Sequence, residues 1–248
     1  MAEPSYDGAT PAALARALSL PNVVVEPIVA STMDVANELA AAGAPAGTLV
    51  LADAQAAGRG RSGRRWESRA GEGIWLTLIE RVNDPAALDV LSLRIGIRVA
   101  RALDRFAADP IRLKWPNDLY LASGKLGGIL VESRWRGERP EWTAIGVGIN
   151  VRRVAFPGGA ALGDGIARLD VLGELVPAVR AAANARGHLS DAELLEFSRR
   201  DLAAGRLARE PEPGRVIGLR RDGALLLQAP DGTKAVREGS LVFDEPIA

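Results

Sequence analysis

Apolar residues fall into short alternating or continuous runs interleaved with stretches of helical spacing, and the order of these blocks predicts a sheet covered by helices. Residues 1–20 are Ala-rich, hold Pro4 and Pro11, and leave room for one short helix before the extended "NVVVEPIVA". Ser31 precedes "TMDVANELAAAG", whose spacing and following Gly43 predict an N-capped helix with a glycine stop. "GTLVLAD" and "IWLTLIE" read as buried strands. Between Pro85 and Phe106, Leu88, Leu91, Ile95, Val99 and Leu103 fall near one face, predicting a single long core-facing helix. Three strands are expected next, "IRLKW", "GILVES" and "WTAIGVGINV", with "PND" and "ASGK" as turns between the first two. After a Gly-rich connection over 152–173, "GELVPAVRAAANARG" and "DAELLEFSRRDLAAG" read as helices. Beyond Gly205 the short runs "RVIGL", "ALLLQA", "TKAVRE" and "SLVF", punctuated by "RRDG" and "APDG", predict a small β-barrel. The expected class is therefore α+β, with a mixed-sheet domain over 1–204 and a β appendage over 205–248.

Composition narrows what this fold can do. With 31 basic and 31 acidic residues the formal net charge is zero, so no overall field favours nucleic acid or an anionic membrane, and any basic function must be local. No cysteine is present, which excludes disulfides, thioester relays and thiolate metal sites. The single histidine, His188, sits in the polar stretch "ARGHLSD" and reads as a surface or capping residue. No run approaches 18 uncharged apolar residues, and no basic segment followed by an apolar core opens the chain, so a cytoplasmic location without a membrane span is expected.

Local chemistry concentrates in two segments. The loop "GRGRSGRRW" at 58–66 contains a literal G-x-G-x-x-G, but a dinucleotide fingerprint must open a helix, and here Arg64, Arg65, Trp66 and "SRAGEG" continue as irregular chain. A phosphate-binding P-loop also fails, because Gly124-Lys125 is followed by Leu126 where a Ser or Thr should ligate magnesium. What the segment offers is five arginines between Arg59 and Arg69 against one acid, Glu67, on a backbone loosened by Gly58, Gly60 and Gly63. Taken alone it reads as a solvated basic loop more readily than as an anion clamp, although guanidinium groups give carboxylates and phosphates paired, charge-assisted hydrogen bonds. The second segment, "KWPNDLYLASGKLGGILVE" at 114–132, adds Lys114 and Lys125 on either side of a turn.

"GRGRSGRRW", "KWPNDLYL", "GKLGGILVE" and "GVGIN", in that order and approximate spacing, closely resemble the biotin protein ligases, from about Ser31 to the C-terminus. The resemblance implies a catalytic domain of the biotin/lipoate ligase type followed by an SH3-like cap. It places biotin against Ser31, Thr32, Gln55, Gly58, Arg59, Arg61, Lys125, Gly127 and Gly128, and ATP or the adenylate against Arg59, Arg61, Trp66, Lys114, Asn117 and Asn150. Lys125, Arg61 and Asp118 are the implied catalytic groups, and ATP with Mg2+ the co-substrate and activator, with the metal's ligands left open. The loop after Asn150, through Phe156 and Pro157, corresponds to the adenine side. The sequence departs from the family at Met33, where asparagine is common, and at Val151, Arg152 and Arg153, where polar residues are usual. The implied partner is a biotin carboxyl carrier protein or domain, not DNA; a homodimer remains open. Upstream of Ser31 the sequence leaves no room for a DNA-binding domain, and family members of that form are ligases without repressor function.

The implied reaction suits these residue types. A carboxylate resists amine attack, so it must first displace pyrophosphate from ATP and become a mixed anhydride, a step served by positioning and cationic stabilisation without histidine or cysteine. The anhydride must be kept from water, which gives a glycine-hinged loop its purpose. A lipoate ligase or octanoyl transferase, the nearest enzymatic alternative, typically carries an arginine pair with a Gly-Gly-Gly run and a downstream His-Asp, and neither the Gly-Gly-Gly run nor the His-Asp appears. A nucleic-acid module is disfavoured by the neutral charge and 4% aromatic content.

Overall fold

A computed structural model describes residues 4–152, 154 and 156–243; Arg153 lies outside the described residues. The elements in chain order are α1 (Pro11–Ala17), β1 (Asn22–Val29), α2 (Thr32–Ala41), β2 (Thr48–Gln55), β3 (Gly73–Glu80), α3 (Pro85–Asp89), α4 (Leu91–Leu103), β4 (Arg112–Lys114), β5 (Asp118–Leu121), β6 (Gly124–Arg136), β7 (Arg139–Asn150), α5 (Arg168–Ala183), α6 (Asp191–Arg200), β8 (Leu207–Glu210), β9 (Gly214–Leu219), β10 (Leu225–Ala229), β11 (Gly232–Val236) and β12 (Val242–Phe243). Seven strands form one sheet in the order β1-β2-β3-β7-β6-β5-β4. Only β1 and β2 run parallel, so the sheet is mixed, as the sequence led us to expect. Pro27 is tolerated because β1 is an edge strand, where a missing N–H breaks no ladder bond.

The two faces of this sheet are covered unequally. On one, Leu76, Leu78, Ile145 and Ile149 join α1, α4 and α5 in the main core. On the other, α2 packs Ala36 and Ala40 against Val50 and Ile79 and covers only part of the sheet. Thr77 pairs with Gly146 and Trp75 with Gly148 beyond it, and the segment between β2 and β3 folds over this remainder. The functional site occupies the ground that α2 leaves open.

Three elements differ from the periodicity. The helix expected over Pro85–Phe106 is broken at Val90 (φ −112°, ψ 5°): Asp84 caps α3 by accepting the amide of Ala86, and α4 starts afresh at Leu91. The buried row of α4, including Leu91, Ile95, Val99 and Leu103, still faces one way, and Ile95→Ala there should cost about 2–5 kcal/mol. β5 is unreadable from the sequence because its four residues lie between two turns and carry no resolvable period. The C-terminal strands form a five-stranded sheet, β11-β10-β9-β8-β12, consistent with an SH3-like unit but open among the described residues, with one neighbour each for β11 and β12. It is fixed to the larger sheet by Trp115, whose indole N–H donates to Gly223 O at 3.1 Å, and by Leu189 N, which donates to Arg221 O at 2.8 Å.

Candidate active site

A cavity of about 650 Å³ lies on the half-covered face, and its wall gathers Ser31, Thr32, Gln55, Arg59, Arg61, Trp66, Lys114, Asn117, Asp118, Lys125 and Gly128. Gly58, Gly127 and Asn150, also singled out by the resemblance, stand behind it.

One part of the wall is built on the start of α2, where the first amides of a helix lack partners of their own. The Ser31 hydroxyl accepts from Met33 N at 3.3 Å, and the Gln55 carbonyl oxygen accepts from Thr32 N at 2.8 Å and from the Thr32 hydroxyl at 3.1 Å. Thr77 donates to the Thr32 hydroxyl at 2.9 Å, while the Gln55 amide donates to the Ser68 hydroxyl at 2.7 Å. This neutral network links α2, β2, β3 and the arginine loop. Thr77 is absent from the family motifs; its signal in the sequence is a lone polar residue in the apolar run "IWLTLIE", buried completely.

The floor is β7. A Cβ on Gly146 would meet the Met33 methyl at 2.8 Å, and one on Gly148 would meet the Trp66 indole nitrogen at 2.5 Å. These glycines therefore let the sheet lie flat beneath the cavity. Trp66 stands edge-on to Trp75 with ring centroids 6.4 Å apart, and its buried indole N–H has no hydrogen-bond partner.

The other part of the wall is cationic. Lys125 extends over the Trp66 ring, 5.3 Å from its centroid, and its ammonium contacts Asp118 Oδ1 at 2.7 Å. Lys114 lies over Tyr120 and Phe243, 5.9 and 5.5 Å from their centroids. Burial lowers the Lys114 pKa; Asp118 opposes this, and Lys125, Arg64 and Arg206 reinforce it. Arg61 is likewise lowered by burial, against the pull of Asp118. Burial pushes the Tyr120 hydroxyl up to about 12. Lys114, Lys125, Arg61 and Arg64 thus outnumber the two carboxylates of the wall, Asp118 from β5 and Glu210 from β8. Asn117 braces β5 by donating to Ile129 O at 2.8 Å.

The C-terminal sheet contributes Glu210 and Ser240 through Phe243 to the cavity wall, and Arg64 donates to the Ser240 hydroxyl. Nothing in the sequence outside the family pattern marks these residues, because only the docking of the second sheet brings them here. Arg59 turns across the mouth to Asp34 on α2, 2.7 Å away, and to Glu132 on β6. Gly127 packs tightly on β7, where a Cβ would lie 2.7 Å from Gly148 O. Asn150 donates to Lys125 O at 3.2 Å and Ala160 O at 3.0 Å, so it ties the following loop to the lysine strand. The glycine requirement at Gly58 also has a different cause from the flexibility expected: its φ is not positive, but a Cβ would collide with Trp66 O. Left-handed backbone occurs instead at Ser62 (φ 55°) and Gly63 (φ 72°), at the loop tip.

Among the described residues no helix is long and apolar enough to cross a membrane, and no three His, Cys, Asp or Glu side chains cluster as a metal site.

A mixed sheet whose glycine-floored pocket is roofed by an arginine loop defines a class, and the comparisons agree with it: the profile of the biotin/lipoate A/B protein ligase family matches residues 25–150, and the chain belongs to that family. Among curated relatives, the biotin–[acetyl-CoA-carboxylase] ligase of Mycobacterium tuberculosis is 33% identical over 218 residues, covering 79% of each chain. The bifunctional ligase/repressor BirA of Bacillus spizizenii is 39% identical over 133 residues, which cover 53% of this chain and 41% of that one. The chain thus spans less than half the length of this bifunctional relative. Biotin protein ligase from Aquifex aeolicus, solved in complex with biotin and ATP, superposes with a TM-score of 0.74 over 92% of this chain and 100% of that one, at 24% identity, a likeness of fold.

Proposed function

We propose that the chain is an ATP-dependent biotin protein ligase that forms biotinyl-5'-AMP and transfers the biotinyl group to a lysine of a biotin carboxyl carrier protein or domain. One observation carries the reading: a glycine-floored cavity joins a neutral hydrogen-bonding cluster to a cluster of four cations around Asp118. A substrate with a neutral polar head, an apolar body and a carboxylate fits both clusters at once, and the surplus cations suit ATP phosphates.

In this reading Ser31, Thr32 and Gln55 exchange some of their mutual bonds for bonds to the ureido head of biotin. Lys125 leaves Asp118 to hold the biotin carboxylate and the α-phosphate, with Arg61 and Lys114 on the remaining phosphate charge. A carboxylate oxygen bonds to the α-phosphorus as the bond to pyrophosphate breaks. The acceptor lysine then attacks the acyl carbon, AMP leaves, and Asp118 takes the amine proton; an amine with a reference pKa of about 10.4 needs such a base. Magnesium would arrive with ATP, and Asp118, the wall carboxylate beside Lys125, would be able to join its shell. Arg59 closes the mouth, and Trp66 packs against the adenylate. The C-terminal residues from 205 act as the SH3-like cap. The compartment is cytoplasmic, where carboxylase acceptors are made.

Biotin-dependent exchange of labelled pyrophosphate into ATP tests this directly, with lipoate and octanoate run in parallel. Exchange with biotin alone is the expected result. Exchange with lipoate or octanoate instead would replace the substrate, and none with any acid would remove the adenylation reading.

A further inference from the structure

We infer that Arg168, buried beside Tyr6 and paired with the more exposed Asp7 and Asp53, forms a hub that positions both loops flanking the pocket. Arg168 opens α5 at 4% exposure, far from any ligand-facing role. Its guanidinium donates to Asp7 through two nitrogens, to Asp53 Oδ1 at 2.6 Å, and to Gly73 O at 3.2 Å. Its plane lies 4.3 Å from the Tyr6 ring centroid, and the Tyr6 hydroxyl donates to the same Gly73 O at 3.0 Å. Asp53 in turn accepts from Gly71 N at 3.0 Å. Arg168, Tyr6 and Asp53 converge on residues 71–73, where the arginine loop rejoins the sheet, and Asp7 holds Arg168 in place.

The same three residues hold the second loop. Glu72 O accepts from Val151 N at 3.0 Å and Arg152 N at 2.8 Å, directly after β7. That loop then returns to Lys125: Lys125 N donates to Gly158 O and Ala160 N to Lys125 O, both at 2.8 Å. A path therefore runs from Arg168 to Gly73, which pairs with Asn150 on β7, and from the Asn150 amide to Lys125 O, the backbone of the lysine in the cationic cluster. Charge-assisted bonds inside a protein are strong and directional, and a planar guanidinium can reach four acceptors in one plane as an ammonium cannot. Arg168 is thus a positioning residue: loosening it frees the exit of the arginine loop and the register of Lys125 together.

Amide hydrogen exchange on the whole chain without ligands tests this, comparing Arg168→Lys and Tyr6→Phe with Arg94→Lys. Arg94 is an equally buried arginine, bonded to Glu193 at 2.8 Å and to the carbonyls of Gly187 and His188, on the far side of α4. Exchange in both 57–72 and 156–163 should rise about tenfold in Arg168→Lys, the loss of roughly one charge-assisted bond, and less in Tyr6→Phe. Arg94→Lys should leave both segments at the wild-type rate even where its melting temperature falls equally. Unchanged loops in Arg168→Lys, an equal effect in Arg94→Lys, or acceleration of 57–72 alone would each overturn the inference. Its functional consequence rests on the ligase reading: Arg168→Lys should release biotinyl-adenylate about tenfold faster. A wild-type protein that makes no adenylate would defeat the ligase reading while the exchange result still decides the hub.

Discussion

The two parts of the pocket wall are made on opposite principles. Around Ser31, Thr32, Gln55, Ser68 and Thr77 the polar groups already satisfy one another, so a ligand there must exchange bonds and gains selectivity more than affinity. Around Asp118, four cations outnumber the two lining carboxylates, Asp118 and Glu210, so a ligand supplies charge that the protein lacks. Neutral recognition should be insensitive to salt and pH, whereas anion recognition in a partly desolvated site should respond to both. The difference teaches why one pocket can be selective for a head group and still depend on ionic strength for turnover.

The largest blow to this contrast is Lys125→Ala, which removes the cation that the proposed reaction shares between carboxylate and phosphate. Biotin-dependent pyrophosphate exchange should fall by about 10³-fold, the scale seen for deleting one preorganised charge-stabilising donor. Exchange within about threefold of wild type would show that Arg61 and Lys114 suffice. Gly148→Ala attacks the floor that the two clusters share, since its Cβ would sit 2.5 Å from the Trp66 indole nitrogen, against a ring packed on Trp75. Overpacking of about 1–3 kcal/mol should raise the KM for biotin roughly tenfold to a hundredfold. An unaltered KM would mean that Trp66 moves freely and is not part of the wall.

The two clusters also differ in how readable they are. The cationic one can be named largely residue by residue because Arg61, Arg64, Lys114 and Lys125 lie in dense local motifs, while its neighbour Phe243 needs tertiary contacts to acquire meaning. The neutral one reads only as Ser31, Thr32 and Gln55; Thr77 and Ser68 complete it through pairings across β3 and the loop that no spacing records. The same limit applies to the fold. Long periodic segments such as α2 and β3 are legible, whereas the break at Val90 and the short β5 depend on caps and neighbours. Arg168 reads as one more arginine of the Gly-rich connection until Tyr6, Asp7 and Asp53, each more than a hundred residues away in sequence, meet it at the start of α5.

Gln55→Leu sharpens the contrast on the neutral side. It removes the acceptor for Thr32 N and the donor to Ser68, so the KM for biotin should rise about tenfold, the order expected for a lost buried hydrogen bond. Because no charge changes, the ratio of mutant to wild-type KM should be the same at low and high salt. A ratio that collapses with salt would place the carboxylate, not the head group, beside Gln55.

The smallest effect is expected from Lys114, and it distinguishes the clusters by pH. Burial, reinforced by Lys125, Arg64 and Arg206, lowers its pKa, so in the free protein it gives up its proton at lower pH than an ordinary lysine. ATP phosphates favour the protonated form and raise the pKa on binding. Affinity for ATP is therefore full below the free-protein pKa and declines as pH rises through it. The KM for ATP should climb in the wild type as pH rises toward the ordinary lysine range. In Lys114→Met the KM should start higher and stay flat, and in Lys114→Arg, whose guanidinium does not deprotonate, it should stay flat near the wild-type neutral value. A slope that survives in both variants would assign the titration to a group elsewhere in the cationic cluster.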